Sequence, residues 1–350
     1  MPNALKIKNL RFTFDESVRR ESLENSDDYS SRMSFSLANA LRINENMIPK
    51  IHHLIMEARE NAKVAQEIHG FVYPSHDVQA SVSGEPNGSV LLAISSSAVR
   101  MLSHEELGFV IGHEMGHVAY GHIGMPVHLV PEEPSEEFLE LQRAAEISAD
   151  RVGYLQVKSL DTAVTAMAKM ASGLDAEHLD FHPASFIQQV RDLKMHPAIG
   201  VAYSTHPPLP IRARALIGLE ATGAVEKQGT EELKKLKELD ERIERDLFLA
   251  SYGLGGPSTA RDLAFWKAVK VFLRDGTFSK QEQGWVADNF GATKLQSLVH
   301  LLGAQTSKEF MNGIDEKIET HQESLKQASP AMRREYDRII GRLKKFGDQP

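Results

Sequence analysis

The sequence predicts an α+β protein that is mainly helical, with a small mixed sheet and an all-α C-terminal region. Apolar residues recur at three- and four-residue steps through 49–67, 103–122 and five runs beyond residue 258, which is typical of helices. Three short segments at 70–74, 77–82 and 89–95 instead resemble strands, with a Gly-Glu-Pro-Asn-Gly turn before the third. A chain of 350 residues with 41% hydrophobic content can bury an ordinary core, and its length suggests two domains or one domain with additions.

Composition shifts suggest four segments along the chain. An N-terminal extension, 1–48, carries alternating patterns at 5–8 and 11–14 that predict short strands, followed by a polar run at 21–36 that predicts a surface loop or a weak helix. A main domain is expected at 49–222. A charged helix and a linker ending in Gly-Leu-Gly-Gly-Pro-Ser follow at 223–257, and a helical domain occupies 258–350.

Charge and cysteine content exclude several classes of protein. The formal net charge of −8 argues against a general nucleic-acid partner, which would call for a basic field. There is no cysteine, so a metal site would have to use histidine and carboxylate. No stretch approaches the 18 apolar residues of a membrane helix, and the first ten residues lack the apolar core of a signal peptide. We therefore expect a cytoplasmic protein.

The stretch 103–122 carries the main chemical signal. Ser103 and Glu106 form a capping-box pattern at the start of a helix. On that helix His113 and His117 are four residues apart and share a face, so both imidazoles can bind one ion. Glu114 lies about 100° round the helix and can act beside the ion without binding it. This His-Glu-x-x-His pattern also occurs by chance, so the decisive question is whether a third ligand exists.

Glu146 is the candidate third ligand, because it lies in a second helical stretch that follows Pro134. Asp150, one turn later, would share its face and could accept the free ring N–H of a ligating histidine. His122 falls nine residues after His113, which places it about 180° away on an ideal helix, so we expect it to face away from the ion.

Three blocks of sequence resemble one known family: 107–122, then 146–150, then Ser-Thr-His-Pro-Pro at 204–208 with Arg212. They occur in the order found in M48 zinc metallopeptidases of the gluzincin clan, and the resemblance covers roughly 50–220. It implies a gluzincin fold with one zinc ion per chain. It also implies roles for seven residues: zinc ligands His113, His117 and Glu146, general base Glu114, stabiliser of the tetrahedral intermediate His206, and supports Asp150 and Arg212. Many members of the family have membrane spans beside the catalytic helix, and this chain has none.

The function predicted from these residues is that of a zinc-dependent endopeptidase acting on protein or peptide substrates. By resemblance to gluzincins, the strand at 89–95 is the candidate to which an extended substrate adds as a further strand. Two alternatives remain: a zinc-binding scaffold without activity, and a latent peptidase whose cleft is filled by 123–134 or by the C-terminal helices. Those helices could also bind a protein partner, and 274–282 weakly resembles a turn of TerB-like domains.

Glycine recurs every four residues in the predicted zinc helix, at 108, 112 and 116. Each glycine costs about 0.5–1 kcal/mol of helix stability relative to alanine. A row of them leaves a smooth groove along one face. We therefore predict that another backbone, an adjoining helix, packs closely against this row.

Overall fold

A computed structural model describes residues 6–15, 26–84, 88–123, 136–179, 182–196, 201, 204–252, 259–304, 307–326, 328 and 330–347. The chain divides into two compact units. The first comprises 1–190 and 204–244, and the second comprises 191–203 and 245–350. As predicted, helices dominate and the sheet is small and mixed.

The sheet of the first unit has four strands in the order β1-β2-β4-β3. Strand β2 pairs in parallel with β4, while β1 pairs antiparallel with β2 and β3 pairs antiparallel with β4. The strands are β1 (Leu41–Arg42), β2 (Ile68–Tyr73), β3 (Ala80–Gly84) and β4 (Val90–Ser95). The three strands predicted between 70 and 95 are confirmed, with shifted ends.

Strand β4 lies inside the sheet, with its backbone bonded to both neighbours. On one side the Val90 amide donates to the Glu67 carbonyl at 2.8 Å, and on the other the Ser95 amide donates to the Gln79 carbonyl at 2.9 Å. Alternate residues of a strand direct their backbone groups to opposite sides, so β4 has no free edge. The expectation that 89–95 accepts an added substrate strand is therefore wrong, because a strand can be added only at a free edge of the sheet.

Helices surround this sheet in the first unit. They are α1 (Ser26–Asn39), α2 (Pro49–Asn61), α3 (Ser96–Met101), α4 (His104–Ala119), α5 (Glu136–Val157), α6 (Leu160–Ser172), α7 (Pro183–Met195), α8 (Leu209–Thr222) and α9 (Thr230–Tyr252). Helix α7 continues past residue 190 and α9 past residue 244, where the second unit begins.

Helices α4 and α5 are in direct backbone contact along the glycine row. A Cβ atom placed on Gly116 would lie 2.8 Å from the Cα of Ala149, and one on Gly112 would lie 3.1 Å from the Cα of Gly153. Gly153 in turn faces the carbonyl oxygen of Phe109, 2.8 Å from its own notional Cβ. The predicted close packing of another helix is confirmed at Gly112 and Gly116 but not at Gly108, where a Cβ would meet only side chains, the nearest being Leu54 at 3.6 Å.

The N-terminal segment does not contain the predicted strands. It forms two short 3₁₀ helices, Ile7–Leu10 and Thr13–Asp15, and buries Leu10 and Phe12 completely. In the first of these helices the buried residues are Ile7 and Leu10, three positions apart. Because a 3₁₀ helix has three residues per turn, such residues share one face, and the apparent alternation of apolar residues did not indicate a strand. The polar run is helical from Ser26 onward as part of α1, and its residues 21–25 lie outside the described part of the chain.

A buried ion pair holds this N-terminal segment in place. Arg151 of α5, fully buried, donates to the Leu10 carbonyl at 3.1 Å and to Asp240 of α9 at 2.5 Å. Asp240 also accepts from the backbone amide of Thr13 at 2.8 Å and from its hydroxyl. The segment is therefore an integral part of the first unit.

All the described secondary-structure elements of the second unit are helices. Its helices after α9 are α10 (Thr259–Phe272), α11 (Lys280–Phe290), α12 (Ala292–Ala304), α13 (Ser307–Leu325) and α14 (Pro330–Gly347). Phe265, Phe290 and Ile339 belong to its apolar core. Gly276, in the left-handed conformation at φ 80°, ends a short 3₁₀ helix before the Ser279 capping box of α11. The TerB resemblance stays a prediction.

Among the described helices, none is both long enough and apolar enough to span a membrane.

The contact between α4 and α5 can be tested with one methyl group. We expect Gly116→Ala to lower the free energy of unfolding by about 1–3 kcal/mol, because its Cβ would overlap the backbone of Ala149. Gly108→Ala is the matched control in the same helix, since its Cβ would lie 3.6 Å from Leu54, an ordinary contact. Thermal unfolding should show a lower Tm for the first variant only. Equal shifts in the two would contradict the close packing.

Candidate metal centre

Helix α4, which carries the two histidines, begins at a capping box. The Ser103 hydroxyl accepts from the Glu106 amide, and the Glu106 carboxylate accepts from the Ser103 amide at 2.7 Å, which completes the predicted capping box. Lys169 of α6 binds the same carboxylate at 2.8 Å. His113 and His117, two and three turns further on, share the face that meets α5.

Three side chains meet at one point between α4 and α5. The Nε2 atoms of His113 and His117 are 3.1 Å apart. The Glu146 carboxylate oxygens lie 3.6 Å from Nε2 of His113 and 3.4 Å from Nε2 of His117. One ligand atom from each residue lies within 4.8 Å of the other two, which is close enough for all three to bind one ion. Two imidazoles and a carboxylate are a ligand set suited to zinc.

The ring orientation of His113 also suits a metal ligand. Its Nδ1 lies 2.9 Å from the Asp150 carboxylate, which as an acceptor takes the Nδ1–H and leaves the Nε2 lone pair directed at His117 and Glu146. Burial opposes protonation of His113, but the hydrogen bond to Asp150 and the charges of Glu146 and Asp150 outweigh it and raise its pKa. The surroundings thus favour positive charge at this ring.

Arg212 of α8 joins the two carboxylates of α5. Its Nε and one Nη donate to Asp150 at 2.8 and 2.6 Å, and its other Nη lies 3.1 Å from Glu146. Burial opposes ionisation of both carboxyl groups, yet the Arg212 charge and the neighbouring histidines hold the pKa of Asp150 low and that of Glu146 well below its usual value. Both groups are therefore ionised at neutral pH.

Glu114 and His206, the two residues predicted to take part in the reaction, lie at the same centre. Glu114 is buried in α4 next to His113, and its charge is among those that raise the pKa of Arg212. His206 is 64% exposed, and its Nε2 lies 3.5 Å from the Glu146 carboxylate. Pro208 precedes α8, and Thr205 contacts the His206 Nδ1 at 2.9 Å, which orients the ring. All seven residues predicted from the sequence thus lie together.

His122 does not face away from the centre, and that expectation was wrong. Helix α4 ends at Ala119, and Gly121 takes the left-handed conformation at φ 70°. The His122 amide then donates to the His117 carbonyl and the Gly121 amide to that of Val118, the two bonds of a Schellman motif. This turn brings Nδ1 of His122 to 3.1 Å from Nδ1 of His117. The glycine after the apolar periodicity was the sequence signal that the ideal-helix calculation overlooked.

Asp15 and Ser148 reach the same region and were missed from the sequence. Asp15 lies 3.0 Å from Nε2 of His122 and accepts from the Ser148 hydroxyl at 2.6 Å. No motif marks Asp15, and Ser148 lies within the block 146–150 without a predicted role. They come from segments 107 and 26 positions away from His122 and meet it only in the folded unit.

Other predicted features lie away from the centre or outside the described residues. His178, a histidine that follows no ligand spacing in the sequence, is exposed and bonded to Asp175. Residues 123–134, named above as a segment that could fill the cleft of a latent peptidase, lie outside the described residues except for Ile123.

Comparisons with known proteins point to one family. Residues 45–130 match the model of Peptidase family M48. A protein named Protease HtpX homolog from Burkholderia cenocepacia (strain HI2424) is 22% identical over 240 residues, covering 57% of this chain and 84% of its own length. Plastoglobule-localized metallopeptidase 48, chloroplastic, from Arabidopsis thaliana is 21% identical over 180 residues, covering 45% of this chain and 50% of its own length. None of the solved structures matches the chain.

The buried charge network yields a pH-dependent prediction. Arg212→Met leaves Asp150 and Glu146 ionised and buried without their counter-charge, which should cost about 3–5 kcal/mol at pH 7 in metal-free protein. The pKa values of both carboxyl groups are lowered by folding, so their contribution is present above their ordinary pKa values and is lost as the pH falls through the lowered ones. The difference between wild type and variant should therefore shrink at about pH 4 and below.

Urea unfolding of chelator-treated protein at several pH values measures this difference. Arg100→Met, at an exposed position of α3, is the control and should leave stability nearly unchanged. A destabilisation by Arg212→Met that does not vary with pH would contradict the electrostatic explanation.

Proposed function

We propose that the chain is a metallopeptidase of family M48 that hydrolyses internal peptide bonds of proteins at a zinc ion held by His113, His117 and Glu146. The observation that carries this proposal is the convergence of two imidazole Nε2 atoms and one ionised carboxylate on a single point. In neutral rings whose protons are on Nδ1, two lone pairs face each other at 3.1 Å, an arrangement that a metal ion between them would stabilise.

Zinc fits this ligand set because two nitrogen ligands and one oxygen ligand leave a fourth position of a tetrahedron open to water or substrate. A zinc ion bound here would lower the pKa of a coordinated water toward about 7 and polarise the carbonyl group of the substrate. The remaining chemistry belongs to residues of the chain.

Glu114 is the general base in this proposal. Its position next to His113, about 100° round α4, brings its carboxylate beside the ligand atoms rather than onto them. There it can accept a proton from the attacking water and later pass it to the leaving amine. His206 is held by Thr205 with its Nε2 directed into the centre, where it can donate a hydrogen bond to the negative charge that develops on the carbonyl oxygen.

Strand β3 is the edge at which an extended substrate can add. It pairs with β4 on one side, and among the described strands nothing pairs with its other side. Because residues 79 and 95 are bonded to each other, alternation directs the backbone N–H and C=O groups of Ala80 and Val82 toward the open edge. These groups could bind the main chain of a peptide whatever its side chains.

The role of Glu114 can be separated from metal binding. Glu114→Gln removes the base but no ligand, so we expect zinc content to remain at one per chain while kcat falls by about 10²–10⁴ or more. Metal analysis and cleavage of casein are the measurements, with His113→Ala as the variant that should lose zinc. Glu105→Gln, at an exposed position of the same helix, is the control for general effects. Near-normal cleavage by Glu114→Gln would contradict the assignment.

His206 should matter for turnover rather than for substrate binding. We expect His206→Ala to lower kcat by about 10²–10³ with little change in KM, because the lost hydrogen bond forms with charge present only in the transition state. Steady-state kinetics with a fluorogenic peptide and zinc analysis of the same samples test this. An unchanged kcat, or loss of zinc equal to the loss of activity, would exclude the proposed role.

The open edge of β3 can be tested with proline. Val82→Pro removes an N–H directed to the edge and no bond of the sheet, so we expect KM to rise while the Tm changes little. Ser83→Pro, the adjacent position, should instead break a bond to β4 and lower the Tm. If both variants bind peptide as the wild type does, substrate does not use this edge.

A further inference from the structure

A line of three side chains runs from the N-terminal segment to the metal centre. Oδ2 of Asp15 lies 3.0 Å from Nε2 of His122, and Nδ1 of His122 lies 3.1 Å from Nδ1 of His117. The Nε2 of His117 is the atom directed at His113 and Glu146. The line therefore ends on the ligand nitrogen that the proposed function assigns to zinc.

The carboxylate at one end determines where each proton lies. Burial of Asp15 opposes its ionisation, but its contacts with His122, Arg11 and Ser148 outweigh burial and lower its pKa, so it acts only as an acceptor. Nε2 of His122 must then carry the hydrogen that Asp15 accepts. In a neutral ring this leaves a lone pair on Nδ1 of His122, which accepts the Nδ1–H of His117. His117 consequently keeps a lone pair on Nε2.

The opposite arrangement would disable the ligand. If His122 donated from Nδ1, His117 would accept at its own Nδ1 and carry its hydrogen on Nε2. That hydrogen would point at His113, at the place of the cation. For a neutral His122 ring, a carboxylate at Asp15 excludes this arrangement, because Nε2 of His122 would then lack a hydrogen and the carboxylate has none to donate to it.

We propose that Asp15 and His122 are positioning residues that hold the His117 ring in its zinc-binding tautomer and orientation, so that the N-terminal segment completes the metal centre. The inference rests on the proposed function, and it concerns residues beyond the ligands. His117 thereby receives what Asp150 supplies to His113 directly: a carboxylate that fixes which nitrogen is free.

The surroundings of Asp15 are consistent with a fixed group rather than a mobile one. The residue is 2% exposed and bonded to the Ser148 hydroxyl at 2.6 Å and to Arg11 at 2.9 Å. Ser148 also accepts from the amide of Phe12, and the Phe12 ring lies under the guanidinium of Arg151. Phe12 and Asp15 are therefore both held against α5, through Ser148 and Arg151.

Zinc affinity of the full-length protein, measured by competition with a chromophoric chelator at about pH 7.5, tests the proposal. We expect His122→Phe to weaken zinc binding about ten- to a hundredfold and Asp15→Asn about tenfold. Asparagine matches aspartate in size, so the segment can keep its packing. Because the two residues act in series, Asp15→Asn should weaken binding no further in a protein that already carries His122→Phe.

Thr13→Val is the matched control, because it loosens the same segment at Asp240 without touching the line. It should lower the Tm and leave zinc affinity within about twofold of the wild type. If it weakens zinc as much as Asp15→Asn does, the segment acts only through stability and the proposal is overturned.

Two further results distinguish failure of this inference from failure of the proposed function. Wild-type affinity in Asp15→Asn and His122→Phe, or independent effects that multiply in the double variant, would overturn the positioning role alone. A wild-type protein that binds no zinc would overturn both.

Discussion

The site depends on the close contact between α4 and α5. Two of the three ligand atoms come from α4 and one from α5, and they can approach one ion only because Gly112 and Gly116 let the two backbones meet. A side chain at either position would separate the helices by more than the tolerance of a metal site, which is a fraction of an ångström. The helix stability lost at these glycines is therefore offset by close packing of α4 and α5, which brings the three candidate ligands together.

Buried charge is the second constraint on this site. Glu146 and Asp150 are both held ionised in the interior, while Arg212 supplies a single positive charge to the pair. One negative charge thus remains uncompensated among these three groups, which explains why positive charge at His113 is favoured. A cation bound between His113, His117 and Glu146 would supply the missing charge, so the charge network that stabilises the fold also favours the proposed metal.

The features predicted correctly have local signals. The capping box at Ser103 and Glu106, the four-residue spacing of the histidines and the turn between Glu146 and Asp150 are all set by helix geometry within a few residues. The failures involve tertiary choices. The N-terminal alternation indicated strands that the chain does not form, and strand 89–95 was placed at an edge although its neighbours flank it on both sides. His122 was misplaced because the calculation continued an ideal helix past Gly121.

The sequence by itself determined the ligand types, their helices and the family resemblance, because each depends on spacing along one segment. Only the tertiary structure decided which strand has an open edge and that Asp15 reaches the candidate metal centre. Asp15 lies 102 positions from His117 and no motif marks it, whereas Arg212, 95 positions away, was identified only through the family resemblance. Their meeting follows from the packing of the N-terminal segment and α8 on α5, which is set by burial of apolar surface over the whole unit.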